Sequence, residues 1–190
     1  MLERSTTRTG SENCEVFDPL LVAVAVIGET AIGFAVGRPG EIPEWNGSRP
    51  VGASTMTRKA RFQDPPRPGQ IEAAVIGASR GIASMFPPPT ERVLVVSSLA
   101  PVVERLCGPR IGAAEARRGL DAILGQTSDD ISAWFGAEAP LARHLPGIIV
   151  GHAALAEGLG VRVEPALCDL AASRYWLAER EEPVAGRESS

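Results

Sequence analysis

Residues 20–36 read LLVAVAVIGETAIGFAV, and this stretch decides the fold. Leu20 to Ile27 is a continuous apolar run rich in valine, the pattern of a strand buried on both faces. Gly28-Glu29 is a tight turn, and Thr30 to Val36 is a second strand, so the pair forms a hairpin. A second apolar run with the same character, Arg92 to Val96 (RVLVV), lies more than fifty residues downstream. A strand reached over such a distance through helical sequence is expected to lie parallel to the first.

The intervening and following segments fill in the order. Arg38 to Pro50 holds three prolines and reads as a loop, and Ala53 to Phe62 (ASTMTRKARF) alternates loosely and reads as a third strand. Asp64 to Gly69 (DPPRPG) is a breaker. Gln70 to Met85 is expected to be a helix, weakened by Gly77 and Gly81. Further helices are expected over residues 101–106, 113–124, 129–135 with Ser128 as N-cap, and 145–159 ending at Gly160. Val161 to Glu164 reads as a short strand and Asp169 to Arg180 as a final amphipathic helix. The result is an α/β (mixed α+β) domain over residues 14–180, with a five-stranded mixed sheet flanked by helices. Polar tails span 1–13 and 181–190.

Composition sets the outer bounds. The chain has 190 residues, enough for a sizeable core without disulfide staples. Cys14, Cys107 and Cys168 are far apart, so neither a zinc site nor a disulfide framework is implied. The polar first residues carry no secretory pattern, and no run approaches the length needed to span a bilayer. An intracellular, most simply cytoplasmic, location without membrane contact is therefore expected. The net charge of −4 argues against nucleic-acid binding through the whole surface. Positive charge is almost all arginine, Lys59 being the sole lysine. The cluster Arg58-Lys59-Arg61 is read as the solvated face of the third strand.

The order of elements resembles the ribonuclease H family. Three passages carry the likeness: Gln70-Ile71-Glu72-Ala73-Ala74, Arg92 to Ser98 with the short helix after it, and Val161 to Val163 followed by Cys168-Asp169-Leu170-Ala171. The resemblance implies a metal-dependent ribonuclease acting on RNA–DNA hybrids, with carboxylates holding two Mg2+ or Mn2+ ions. Glu72 and Asp169 match two of the family's four acids. Asp18, or Glu29 at the turn, stands in for the first. Ser97 or Ser98 replaces the third and cannot serve as an anionic ligand. The reading is thus a degenerate ribonuclease-H-like scaffold or binding module, with catalytic and metal-binding candidates Glu72, Asp169 and Asp18. Its implied partner is an RNA–DNA hybrid or a larger nucleic-acid-processing assembly. Glu72 and Asp169 also suit the first turn of a helix as plain dipole partners.

A second alternative rests on Gly77-Ala78-Ser79-Arg80-Gly81-Ile82-Ala83, which resembles the glycine-rich turn of NAD(P)-binding short-chain dehydrogenases. Against it, Tyr175 lacks a lysine four residues on. The sequence has no P-loop and no G-x-S-x-G elbow. His144 and His152 carry no partner signal, and Tyr175, Trp176 and Leu177 are expected to anchor the last helix.

Overall fold

The alternation of small and branched apolar residues builds the centre of the sheet. The computed structural model describes residues 21–38, 41–90, 92–136 and 139–167. Strand β1, Val22–Ile27, turns Ala23, Ala25 and Ile27 to one face and Val22 and Val24 to the other. It pairs antiparallel with β2, Ile32–Gly37, and parallel with β4, Arg92–Val96. Strand β3, Trp45–Arg49, adds antiparallel to β2, and β5, Val163–Ala166, adds parallel to β4. The five-stranded mixed sheet therefore runs β3-β2-β1-β4-β5. The expected parallel pairing of residues 92–96 with the first strand is present, although β1 rather than β4 is the middle strand.

One face of the sheet is covered by helices. These are α1 (Ala53–Lys59), α2 (Pro68–Ala83), α3 (Ala100–Cys107), α4 (Ala113–Ile123), α5 (Ser128–Phe135), α6 (Ala139–Ala142) and α7 (Leu145–Leu159). Helix α7 is the hub. Every residue from Leu145 to Ala156 is buried, as expected of a helix that is apolar all round. It packs against α1, α2 and α4. Glycines permit this closeness. A Cβ on Gly147 would lie 2.6 Å from the Ala53 carbonyl oxygen, and one on Gly151 would lie 2.7 Å from Ile27 Cδ1. His152 lies inside this core and is fully buried. Its Nδ1 meets the Ile148 carbonyl at 2.9 Å. Burial holds its pKa down to about 4, because the interior penalises the charged ring.

Two expectations fail in the same region. The third strand is not residues 53–62 but Trp45–Arg49, inside the stretch read as a loop. Gly47 makes room for the Trp45 indole, which also meets Phe34 edge-to-face at 5.9 Å. Residues 53–59 instead form α1, because Ala53, Met56 and Ala60 recur at helical spacing and bury one side. The dehydrogenase-like turn also fails: Gly77 to Ala83 lies within α2, away from any strand-to-helix turn. The last expected helix, with Tyr175, Trp176 and Leu177, lies outside the described residues. No helix among the described residues is long and apolar enough to cross a membrane.

Candidate functional site: an arginine-lined cavity beside the first hairpin turn

The turn after β1 anchors everything around it. The backbone N–H groups of Ala53 and Ser54 donate to the carbonyls of Gly28 and Glu29, both at 2.9 Å. Thr55 Oγ1 donates to the Thr30 carbonyl at 3.0 Å. Gly52 makes this contact possible, since a Cβ there would sit 2.3 Å from the Ala31 nitrogen. The start of α1 is thereby stitched to the carboxyl end of β1. In α/β sheets this is the edge where ligands collect.

Helix α1 ends at Lys59, and two residues on Arg61 takes a left-handed φ of 55°. The reversal sends the chain into the 62–67 loop, which Gln70 holds in place. Gln70 Oε1 accepts from the backbone of Arg67 at 2.9 Å and of Gln63 at 3.3 Å, and its Nε2 donates to the Arg61 carbonyl. The same loop is tied to α5 by Asp64 Oδ1, which accepts from Ser128 N at 2.9 Å. Thr127 and Asp130 close a capping box on that helix, with the Thr127 hydroxyl donating to Asp130 Oδ2 at 2.7 Å. These hydrogen bonds from Thr127, side chain first and backbone second, hold the Asp130 carboxyl below its usual range.

Between α1, this loop, the start of α5 and the start of α7 lies a cavity of about 690 Å³, within the range of small-molecule sites. Arg58, Arg61 and Arg143 line it, against a single carboxylate, Asp64. Phe62, Ile131 and Pro146 supply apolar wall, and Ser54, Gln126, Ser128 and His144 supply polar groups. Arg58 and Arg61 make no ion pair among the described residues, so their guanidinium groups remain open to a ligand. In a chain of net charge −4, this wall is locally basic. Ser54 links the cavity to the hairpin turn. Its Oγ donates to Glu29 Oε1 at 3.4 Å and lies 3.3 Å from His144 Nδ1.

Of the residues singled out from sequence, Glu72 is an exposed residue of α2. It borders a separate small hollow with Arg117 and Glu157. Asp18 and Asp169 lie outside the described residues. Ser97 is buried after β4, and its Oγ has no hydrogen-bond partner among the described residues. The basic cluster was visible in sequence, but as a solvated strand face. Instead, Arg58 in the last turn of α1 and Arg61 just beyond it both line the cavity. Glu29 was noted for a different role. No local motif in the sequence marks Ser54, Asp64 or Arg143 as site residues, and Ser128, expected as an N-cap, is instead the first residue of α5, which Thr127 caps.

No family model and no curated protein matches the sequence. Solved structures do match by fold. A Ppx/GppA phosphatase of Aquifex aeolicus, a type II variant, superposes with a TM-score of 0.66 at 15% identity, over 78% of this chain and 53% of that one. An exopolyphosphatase-like protein gives 0.59 at 16% identity, over 83% and 59%. An exopolyphosphatase from Cytophaga hutchinsonii gives 0.57 at 10% identity, over 79% and 54%. The fold is thus of the class found in Ppx/GppA phosphatases. At these identities the likeness concerns the fold alone, and the chain spans little more than half the length of those proteins. The expected ribonuclease H membership, its nuclease activity and its role as a nucleic-acid module are overturned by these matches. Element order had suggested that family, and the same order serves a different one.

Proposed function

We propose that this chain is a binding domain for a polyphosphorylated anion, held in the cavity lined by Arg58, Arg61 and Arg143. The cavity carries the reading: Arg58 and Arg61, which make no ion pair among the described residues, line it together with Arg143 against a single carboxylate, and guanidinium donors match phosphate oxygens. A ligand with several phosphates uses more of this wall than a single phosphate does. The fold likeness to proteins described as phosphatases and exopolyphosphatases supports the same ligand class. Among the described residues no group of three His, Cys, Asp or Glu is placed to hold a metal ion. In this proposal Mg2+ or Mn2+ enters as a counter-ion of the ligand's phosphates.

Titration calorimetry with inorganic triphosphate tests the reading. Each charge-assisted contact contributes about 1.5–3 kcal/mol, so Arg58→Ala or Arg61→Ala should weaken binding about tenfold or more. Adding Mg2+ to the same titration reports whether the cation enters with the ligand. Absence of binding by the wild-type chain, or equal binding by both variants, contradicts the proposal.

A further inference from the structure

The face of the sheet turned away from the helices carries a second apolar cluster. Val22 and Val24 of β1 and Leu94 and Val96 of β4 form it, with Ala166 of β5 packed against them, and no residue of a described helix belongs to it. Yet these four side chains are only 4–8% exposed, whereas Val26, on the same face of β1, is 47% exposed. Side chains stand roughly perpendicular to a sheet, so neighbouring strands alone do not hide them. Val26 shows what an uncovered position on this face looks like, and something covers the other four. Outside the described residues, the stretches long enough to do so are 1–20 and 168–190.

The pattern of burial gives the direction of the cover. Val96 lies opposite Val26 on one side and opposite Ala166 on the other. At this end of the face β4 is covered and β1 is open. One row toward the amino end, Leu94 and Val24 are paired and both covered, and Val22 beyond them is covered too. The cover therefore begins over β4, beside the point where the chain leaves β5, and crosses to β1 as it runs back. That path is open to the chain that follows Ala166, because β5 runs parallel to β4 and ends beside Val96. The sequence there, residues 169–180, has the pattern of an amphipathic helix with Leu170, Tyr175, Trp176 and Leu177 as its large apolar groups. Such a helix is about 18 Å long. The five residues of β4 extend over about 16 Å, so the lengths match. The stretch before β1 fits less well. Residues 1–13 are polar, and it enters beside Val22, at the opposite end of the face from Val96.

We infer that residues 169–180 dock as a helix on this second face, over Val22, Val24, Leu94 and Val96, and so add a third layer to the domain. The inference stands apart from the anion-binding reading, whose cavity lies among the helices of the other face.

Proton NOEs in the full chain test it, with valine and leucine methyls labelled and all else deuterated except tyrosine and tryptophan. Tyr175 is the sole tyrosine, and Trp176→Phe identifies the Trp176 signals among the three tryptophans. At least one of these two rings should give cross-peaks to the methyls of Val24, Leu94 or Val96. Absence of such cross-peaks from both rings overturns the inference. So does their appearance only between differently labelled molecules in a mixed sample, which would make the cover a second copy. The second readout is fluorescence of a dye that binds apolar surface. Leu170→Ser combined with Trp176→Ser should raise it severalfold by uncovering the valine face, whereas Val26→Ser, at a position already open, should not. Unchanged dye fluorescence in the double variant would also overturn the docking.

Discussion

The two glycines Gly77 and Gly147 should respond in opposite directions to the same change, Gly→Ala. Both lie within helices, where alanine is favoured over glycine by about 1 kcal/mol. At Gly77, in the exposed middle of α2, an added Cβ meets nothing within 4 Å. The helix gain should therefore appear in full, and Gly77→Ala should stabilise by about 1 kcal/mol. For a chain of this length that raises Tm by roughly 2–4 °C. At Gly147 the added Cβ would lie 2.6 Å from the Ala53 oxygen and 3.0 Å from its carbon. Those atoms belong to backbone held to the hairpin turn, so they cannot swing aside as a side chain would. Overpacking of this kind costs about 1–3 kcal/mol, and the helix gain offsets part of it. Gly147→Ala should thus lower stability by up to about 2 kcal/mol. Because α1 carries Ser54 and Arg58, it should also weaken triphosphate binding, which Gly77→Ala should leave intact. Thermal and urea unfolding followed by circular dichroism measure both variants. A stable Gly147→Ala with native affinity would refute the packing of α7 on α1, and a destabilised Gly77→Ala would refute the open surroundings of that position in α2.

Two further outcomes follow from the buried histidine and the cap. His152 is neutral when folded down to about pH 4, whereas the ordinary value for a histidine is 6.5. Between these limits the unfolded chain binds more protons, so stability falls with decreasing pH, by about 3 kcal/mol across the window. His152→Leu should flatten urea midpoints measured between pH 5 and 6.5, and an unchanged slope would exclude His152 as the source. Thr127→Ala, which removes the hydroxyl from the α5 capping box, should cost about 1 kcal/mol in urea unfolding. An unchanged midpoint would show that this cap contributes nothing.

Much of the fold was legible because its signals are local. The valine-rich runs at β1 and β4 could only be buried strands, and the helical spans of α2, α4, α5 and α7 agree with their sequence patterns within a few residues. The failures have physical causes. Trp45–Arg49 is an edge strand whose side chains are partly exposed, so no apolar alternation marks it, and prolines on both sides suggest a loop. Residues 53–59 contain two threonines, which favour strands locally, and only tertiary burial of Ala53 and Met56 selects the helix. The cavity was least legible. Its groups come from α1, a proline-rich loop, α5 and the entry to α7, and their meeting depends on Arg61 reversing the chain and on Gln70 and Asp64 fixing the loop. The family resemblance misled because element order is shared between families, and order alone says nothing of the site.

The most direct test of the anion site is a map of backbone amide shifts on adding inorganic triphosphate to isotopically labelled protein. The largest changes should fall on Ser54, Arg58, Arg61, Ser128 and His144, with Glu72 and Arg117 at the other hollow unaffected. They should shrink in Arg58→Ala and as salt is raised, because counterions screen the exposed guanidinium groups. Shifts centred on α2 and α4 instead, or none at millimolar triphosphate, would contradict the account.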